Sequence, residues 1–330
     1  MSTVQLTRRR FLGGAGGAAL LVALGACSKA ESAGGSDTVR YGDVVDSKNP
    51  EVISEAFFGT KVQPAGLKVQ TFPNGVLGSH ERMNEQLRNG SLELTTTNVA
   101  DLESYDKRLG VFAMPFAFPD RQALFDAEDG AMGKAYGAIL EKYGFVVLGW
   151  FDSGLRNVYN TKRPIHEPAD LKGIKIRTQG NQIMIDTFNT LGAQATPIDT
   201  TQIYSALQQG VIDGAENSTT FFVQEHHSEV AKFYSYTNHF FSIDPMLASK
   251  KWFDELKPKQ KNAVMAAGKA AQDHERAMWL ASDEKYTKKA KQQGVKFNDA
   301  DIAAFREAVK PIYAKYGNTF GELSKYLPDL

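Results

Sequence analysis

The stretch of sequence that decides the fold is residues 173–218, GIKIRTQGNQIMIDTFNTLGAQATPIDTTQIYSALQQGVIDGAENS. Residues 174–178 alternate apolar and polar side chains, which predicts a strand, and residues 181–192 carry apolar side chains at helical spacing. Residues 199–210 begin with a capping-box pattern and predict a second helix. A short strand is predicted over residues 211–218. Because strands and helices alternate in this way along most of the chain, the sequence predicts an α/β fold.

Arg177 is unusual in this stretch because it ends the predicted strand on the face opposite Ile174 and Ile176. It is either an ordinary solvated charge or a cation placed to hold an anion. Ligands of open α/β sheets bind outside the carboxyl ends of the strands, and the planar guanidinium suits a carboxylate. Other side chains at or just past predicted strand ends are Asp43, Asn98, Trp150, Arg156 and Asn217.

The N-terminus predicts export. Residues 1–26 include three consecutive arginines at 8–10 and no acidic residue, and an apolar, glycine-rich run fills positions 11–26. This run is too short and too rich in glycine for a spanning helix, and the layout is that of an export signal. The arginine segment resembles the twin-arginine export pattern.

Cys27 is the only cysteine of the chain, and the preceding Leu-Gly-Ala resembles a bacterial lipobox. A structural role is hard to assign to one cysteine in an exported protein, where disulfides form. We therefore expect Cys27 to carry a lipid, with a leftover free thiol as the alternative. Residues 27–37 are small and polar and are expected to tether a protein held at the membrane in the periplasm.

Charge and motifs exclude several classes of function. The 330 residues contain 38 basic and 38 acidic side chains, and without the three arginines of residues 1–26 the basic count is 35. No basic field remains for nucleic acid. The chain has no HExxH, Gly-x-Ser-x-Gly or phosphate-loop motif. Adjacent residues on a helix point about 100° apart, so His226 and His227 favour a solvated helix face over a metal site. We expect no metal and no cofactor.

Residues 154–218 resemble the solute-binding proteins of tripartite ATP-independent periplasmic (TRAP) transporters. The motifs that carry the resemblance are G-x-R, R-P-I before A-D-L-K-G-x-K-I-R, L-G-A-x-x-x-P, Y-x-A-L-Q and D-G-x-E-N. Upstream, FPNGVLGSHERM and MPFAF match in the same order, so the resemblance covers roughly residues 38–325. It implies a two-lobed periplasmic binding protein fold that closes on a carboxylate-bearing solute. It also implies a hinge and a long C-terminal helix spanning both lobes.

The resemblance assigns roles to single residues. Arg177 matches the family arginine that grips the solute carboxylate, and Arg156 matches a second arginine near it. Asn217 matches the residue that bonds to the carboxylate from the facing loop. Glu81 matches a family acid near the pocket, and Asn98 lies where the end of a strand contacts the solute.

Some features of the sequence leave these assignments open. Trp150, Phe118 and Phe241 are candidates for the cavity wall, although buried aromatics mostly pack in the core. Residues 46–66 are a few residues shorter than the family pattern, which predicts a stunted first helix and makes the placement of Asp43 uncertain. The D-G-x-E-N segment is not the Trp-Asp form of the family branches that bind 2-oxo acids through a metal.

The resemblance implies discontinuous domains: residues 38–153 with 243–282 as lobe I, and 154–242 with 283–330 as lobe II. We expect a monomer that delivers a small organic acid to TRAP membrane subunits without performing chemistry. Acceptors such as Glu81 and Asn98 suit hydroxyl groups and disfavour a second carboxylate, so a uronate or aldonate is favoured over a C4-dicarboxylate. A periplasmic enzyme acting on an acidic sugar and a receptor for an ATP-driven importer are the alternatives.

Overall fold

A computed structural model describes residues 38–328, and the predictions made for residues 1–37 lie outside this range. Within it the chain forms nine strands: β1 (Thr38–Gly42), β2 (Lys68–Phe72), β3 (Leu94–Thr96), β4 (Phe145–Asn160), β5 (Lys175–Thr178), β6 (Gln194–Pro197), β7 (Gly214–Asn217), β8 (Phe233–Ser249) and β9 (Lys296–Asp299). The α-helices of the described range are α1 (Pro50–Val62), α2 (His80–Asn89), α3 (Arg121–Asp129), α4 (Ala131–Glu141), α5 (Gln182–Thr190), α6 (Ile203–Gln208), α7 (Thr219–Gln224), α8 (His227–Val230), α9 (Lys250–Glu255), α10 (Pro258–Gln292), α11 (Ile302–Ala308) and α12 (Lys310–Tyr316). Strands and helices alternate, as the predicted α/β class requires.

The start and the end of helix α2 are determined by local sequence signals. The Ser79 side chain accepts a hydrogen bond from the backbone N–H of Arg82, and Gly90 closes the helix at a φ of 82°. A left-handed residue after a helix favours glycine, because glycine has no Cβ to clash. In the same way, Asn181 caps α5 by accepting from the Met184 N–H. Both helices begin at predicted positions.

Two local predictions were wrong. Helix α1 has 13 residues, so the short segment after β1 does not stunt it. Residues 199–210 do not form one helix, because Asp199 caps a 3-10 turn at 200–202 before α6 begins. The C-terminal third is mostly helical and also contains β8 and β9. Strand β9 gains its partner from the distant β8, which local periodicity cannot reveal.

Strands β4 and β8 link the two halves of the sheet. The strand order is β2-β1-β3-β8-β4-β7-β5-β6, with β9 on β8. The two long strands pair antiparallel from Phe145↔Ser249 to Asn160↔Phe233, and their register shifts between Asp152 and Leu155. Strand β3 pairs with the C-terminal half of β8, and β7 pairs with the C-terminal half of β4. The predicted lobe boundaries fall beside this register shift and stay a prediction.

Helix α10 has 35 residues, or about 52 Å at the helical rise, and it lies against elements of both halves. His274 Nδ1 is 2.9 Å from Ser54 Oγ of α1. Asp283 of the same helix accepts a 2.8 Å hydrogen bond from the Thr220 hydroxyl of α7. The long helix predicted from the sequence is therefore confirmed. Within residues 38–328, none of the helices combines the length and hydropathy that a bilayer span needs.

Candidate functional site

Two adjoining cavities lie in the crevice where β3, β5 and β7 end. The outer cavity has a volume of about 200 Å³ and the inner cavity about 30 Å³. Side chains from both halves of the chain line them, as the strand-end argument predicts. The residues that line both cavities are Val44, His80, Arg177, Gln179 and Thr200.

Arg177 is a buried cation in this crevice, with only 3% of its surface exposed. Its Nε donates to the Ile198 carbonyl at 2.7 Å, and its Nη2 donates to the Thr200 hydroxyl at 3.0 Å. Among residues 38–328, no carboxylate forms a salt bridge with it. Burial, and then the neighbouring Arg156 charge, lower the pKa of Arg177. An uncompensated buried charge is costly, so this position favours the entry of an anion.

Arg156 lines the inner cavity but already has a protein partner. Its Nε and Nη2 donate to the two carboxylate oxygens of Glu216 at 2.6 Å each, and its Nη1 donates to the Ser242 hydroxyl at 3.1 Å. Burial alone would raise the pKa of Glu216, but Arg156 and His239 hold it at about 2. Glu216 therefore neutralises the bidentate face of Arg156, and Nη1 is the nitrogen that lies away from that acid. The place of Arg156 near the solute carboxylate stays a prediction. Sequence reasoning missed Glu216, although an acid inside the buried D-G-x-E-N strand was the signal.

Asn217 ends β7 and lines the inner cavity. Its Oδ1 accepts from the Ser218 N–H at 2.8 Å, and its carbonyl accepts from the Tyr234 hydroxyl at 2.9 Å. Within the described part of the chain, its Nδ2 has no hydrogen-bond partner. Asn217 therefore offers a donor to a molecule in the cavity.

Asn98 and Asp43 are held by protein partners. The Nδ2 of Asn98 donates to Ser242 and Asp244, and its Oδ1 accepts from the Ala100 N–H, although the residue lines the inner cavity. Asp43 lines neither cavity; it lies buried, and burial raises its pKa. Its backbone follows β1, so Val44 reaches the cavity in its place.

The other predicted residues are divided between cavity and core. Glu81 is exposed and lines the outer cavity. Trp150 lies in an aromatic cluster, with ring centroids 5.6 Å from those of Phe112 and Tyr136, and does not line the cavities. Phe241 pairs with Leu155 in the sheet and packs on the core, also away from the cavities. Phe118 stacks on Phe112 at 5.8 Å. For these three aromatics the packing alternative describes the structure.

His80 is a further cation of the site, and sequence reasoning missed it. Its Nδ1 lies 2.8 Å from Asp101 Oδ2, and the residue lines both cavities. Burial would lower the pKa of His80, but the hydrogen bond and charge of Asp101 raise it to about 9. The histidine is therefore charged at neutral pH. Its partner is 21 residues away in another element, so no local pattern indicates the pair.

Two acids complete the inner cavity. Glu51 accepts from the Ser153 hydroxyl at 3.0 Å, and Asp244 accepts from Asn98 Nδ2. Burial, and then Asp244, raise the pKa of Glu51 well above its usual value. Burial raises the pKa of Asp244 to about 6. Burial thus disfavours the ionised form of both acids, and Asp244, at about 6, is mostly ionised at neutral pH.

The histidine pair does not lie on a single solvated face. His227 is buried with its Nδ1 2.7 Å from the Tyr159 hydroxyl, while the side chain of His226 is exposed and lies 2.8 Å from Glu229. Burial lowers the pKa of His227 to about 3, so it is a neutral core residue. In residues 38–328, no three or more His, Cys, Asp or Glu side chains are grouped so as to hold a metal ion.

Comparisons with known proteins identify the family to which the chain belongs. Residues 46–319 match the family described as bacterial extracellular solute-binding protein, family 7. A solute-binding protein of Chromohalobacter salexigens is 31% identical over 262 residues, which are 79% of this chain and 78% of that protein. A TRAP periplasmic solute binding protein of a Sulfitobacter species, solved with bound β-D-galacturonate, has a TM-score of 0.85 and 32% identity, covering 88% of this chain and 97% of the other. Its counterpart from Pseudomonas putida, solved with bound D-glucuronate, has a TM-score of 0.84 and 33% identity, covering 87% and 95%.

Proposed function

Because the chain belongs to the bacterial extracellular solute-binding protein family 7, we propose that it is a periplasmic receptor that captures a sugar acid for a TRAP transporter. Hexuronates are the favoured solutes. The proteins with bound galacturonate and glucuronate that it resembles share its fold over most of their length. The TRAP membrane subunits are the partners to which the receptor delivers its solute.

The observation that carries this proposal is the buried Arg177 beside a polar cavity. The residue is 3% exposed, and among the described residues its guanidinium donates hydrogen bonds to a carbonyl and a hydroxyl. A solute carboxylate would supply the missing negative charge through charge-assisted hydrogen bonds. The Nδ2 of Asn217 and the charged His80 add hydrogen-bond donors for a sugar-acid solute.

Solute capture requires the two halves to move. The inner cavity of about 30 Å³ holds about one water molecule, so a sugar acid enters only when the halves separate. A solute between the two halves then contacts residues of both halves only in the closed state. This difference in contacts is what allows a solute to favour closure.

Further parts of the proposal concern the state of the protein in the cell. Cys27 carries a lipid that holds the receptor at the membrane, and the receptor works as a monomer. It releases its solute unchanged, so a bound acid recovered after long incubation is chemically intact. Conversion of the acid would instead support the periplasmic enzyme.

A thermal-shift and calorimetric screen tests the function. The protein is titrated with D-glucuronate, D-galacturonate, D-gluconate, succinate and, as a neutral control, D-glucose. A tight ligand stabilises the fold by RT ln(1 + [L]/Kd), so we expect a rise in Tm with the sugar acids and none with glucose. A rise with succinate alone would contradict the sugar-acid assignment and support the C4-dicarboxylate receptor.

A further inference from the structure

The inner cavity is electrically asymmetric. Its titratable lining residues are Glu51, His80, Arg156, Arg177 and Asp244. Two of the cations already have acidic partners, since Arg156 pairs with Glu216 and His80 with Asp101. Arg177 is the lining cation without an acidic partner among the described residues, and it must take the carboxylate of the solute.

Asp244 is an anion of this cavity that forms no salt bridge among the described residues, although the nearby His80 charge acts to lower its pKa. It is 7% exposed, and its Oδ1 accepts from Asn98, a neutral amide. Within residues 38–328, no salt bridge involves Asp244, and besides Asn98 the Ser153 hydroxyl is its hydrogen-bonding neighbour. One oxygen of Glu51 accepts from the same Ser153 hydroxyl, and Glu51 lines the same cavity. Two almost fully buried acids thus line the space beside Arg177, each hydrogen-bonded to neutral groups and neither in a salt bridge.

Carboxyl oxygens outside a salt bridge bind hydroxyl groups well and carboxylates poorly. A hydroxyl can donate a hydrogen bond to an ionised carboxylate, whereas a second carboxylate has no proton to give. Two like charges brought together in a desolvated site also repel each other strongly. The side chains of Asp244 and Glu51 therefore distinguish solutes with one acid group from solutes with two.

We propose that Asp244, supported by Glu51, is the specificity-determining residue that binds a hydroxyl of the solute and excludes a second carboxylate. The receptor then accepts polyhydroxylated monocarboxylates, such as uronates and aldonates, and rejects the corresponding sugar diacids. This inference rests on the proposed function and specifies the substrate class of the same site.

The test uses solutes that differ at one carbon. D-Gluconate and D-glucarate share a linear carbon skeleton, and C6 is a hydroxymethyl group in the first and a carboxylate in the second. D-Glucuronate serves as the cyclic monoacid. With the full-length protein, we expect calorimetry to give a Kd for D-glucarate at least 100-fold weaker than for the tighter of the two monoacids.

The decisive variant is Asp244→Asn, which removes the charge and keeps the shape of the side chain. In this variant we expect the ratio of the Kd for D-glucarate to the Kd for the tighter monoacid to fall at least tenfold. Asp244→Ser is the second variant, in case the amide disturbs Asn98, and cooperative thermal unfolding shows that each variant is folded. Asp254→Asn is the matched control, because Asp254 is an exposed aspartate of α9 that pairs with Lys250 and lines neither cavity. Its preference should equal that of the wild type.

Two results would overturn the inference while leaving the receptor assignment intact. One is equal affinity of the wild type for D-glucarate and the monoacids, and the other is an unchanged preference in both Asp244 variants. If the wild type binds none of these acids, the proposed function fails together with the inference. The two failures are therefore distinguishable.

Discussion

At the scale of single residues, Arg177 and Arg156 show that the same side chain takes different roles according to its partner. Both are buried, with 3% of each exposed. Arg156 makes a bidentate pair with Glu216, whereas Arg177 bonds only to a carbonyl and a hydroxyl. Removing one partner of a buried pair leaves an uncompensated charge, which makes the pair structural. The arginine without an acidic partner is the one available to a solute.

We expect Arg177→Lys to weaken sugar-acid binding about 10- to 100-fold, the equivalent of one hydrogen bond to a charged group. An ammonium group keeps the charge but lacks the planar fork that binds a carboxylate through two parallel bonds. Calorimetric titration with D-glucuronate measures the change in Kd. The control is Arg88→Lys, at an exposed arginine that pairs with Glu85. If the Arg177 variant bound D-glucuronate with wild-type affinity, Arg177 would not be a solute-binding residue.

At the scale of elements, the contact between α10 and β4 depends on two glycines. A Cβ on Gly268 of the helix would lie 2.2 Å from the Leu148 carbonyl oxygen, and a Cβ on Gly149 of the strand would lie 2.9 Å from the Gly268 carbonyl oxygen. Each glycine therefore allows the backbones to approach closely. Because α10 also contacts α1 and α7, this approach fixes a helix that lies against both halves of the chain.

The substitution Gly268→Ala should destabilise the fold by about 1–3 kcal/mol, the usual cost of overpacking a core. The methyl group must push the helix away from β4, and this outweighs the higher helix propensity of alanine. Chemical denaturation measures the free energy of unfolding. The matched control is Gly137→Ala in α4, where the nearest atom to the new Cβ is 3.7 Å away, so the change should be neutral or stabilising. Equal effects of both substitutions would contradict the close-approach argument.

At the scale of the whole molecule, hydrogen bonds cross between segments that the predicted boundaries assign to different lobes. Glu103 accepts from the backbone N–H of Gln182 at 3.2 Å and from the side chain of Asn181, the cap of α5. The backbone N–H of Asp46 donates to Glu225 at 3.4 Å. These hydrogen bonds join the segments on the two sides of the cavities.

Burial of titratable groups makes the stability of the whole molecule depend on pH. The pKa of His80 is about 9 when folded and 6.5 ordinarily, so its contribution is complete below pH 6.5 and is lost as pH rises through 9. Burial raises the pKa of Asp152 and Asp244 to about 6 from 3.8, and their contribution is lost as pH rises through 6. Glu216, at about 2, contributes fully above its ordinary 4.5 and does not change in this window.

The Tm measured by circular dichroism should therefore be lower at pH 9 than at pH 6. The variant His80→Gln should show a smaller difference between the two pH values, because it lacks a group that titrates within this window. A Tm that rises from pH 6 to pH 9 would mean that His80 is not held charged by Asp101 in the folded state.

The sequence by itself determined the α/β class, the positions of α2, α5 and α10, and Arg177 and Asn217 as residues of the crevice. Each of these features is predicted by a local signal, namely the hydrophobic period, a helix cap or the end of a strand. Such signals involve only a few neighbouring residues. The family resemblance, on contiguous motifs, supplied the two lobes and the class of solute.

Only the tertiary structure decided which charges are paired. Glu216 lies 60 residues from Arg156, and Asp101 lies 21 residues from His80, so strand register and helix packing bring these partners together. The same long-range packing buries Asp43 and Trp150 away from the cavities and places Asp244 among their lining residues. Whether a charge is free to bind a solute depends on the distance to its nearest opposite charge, and the fold sets that distance.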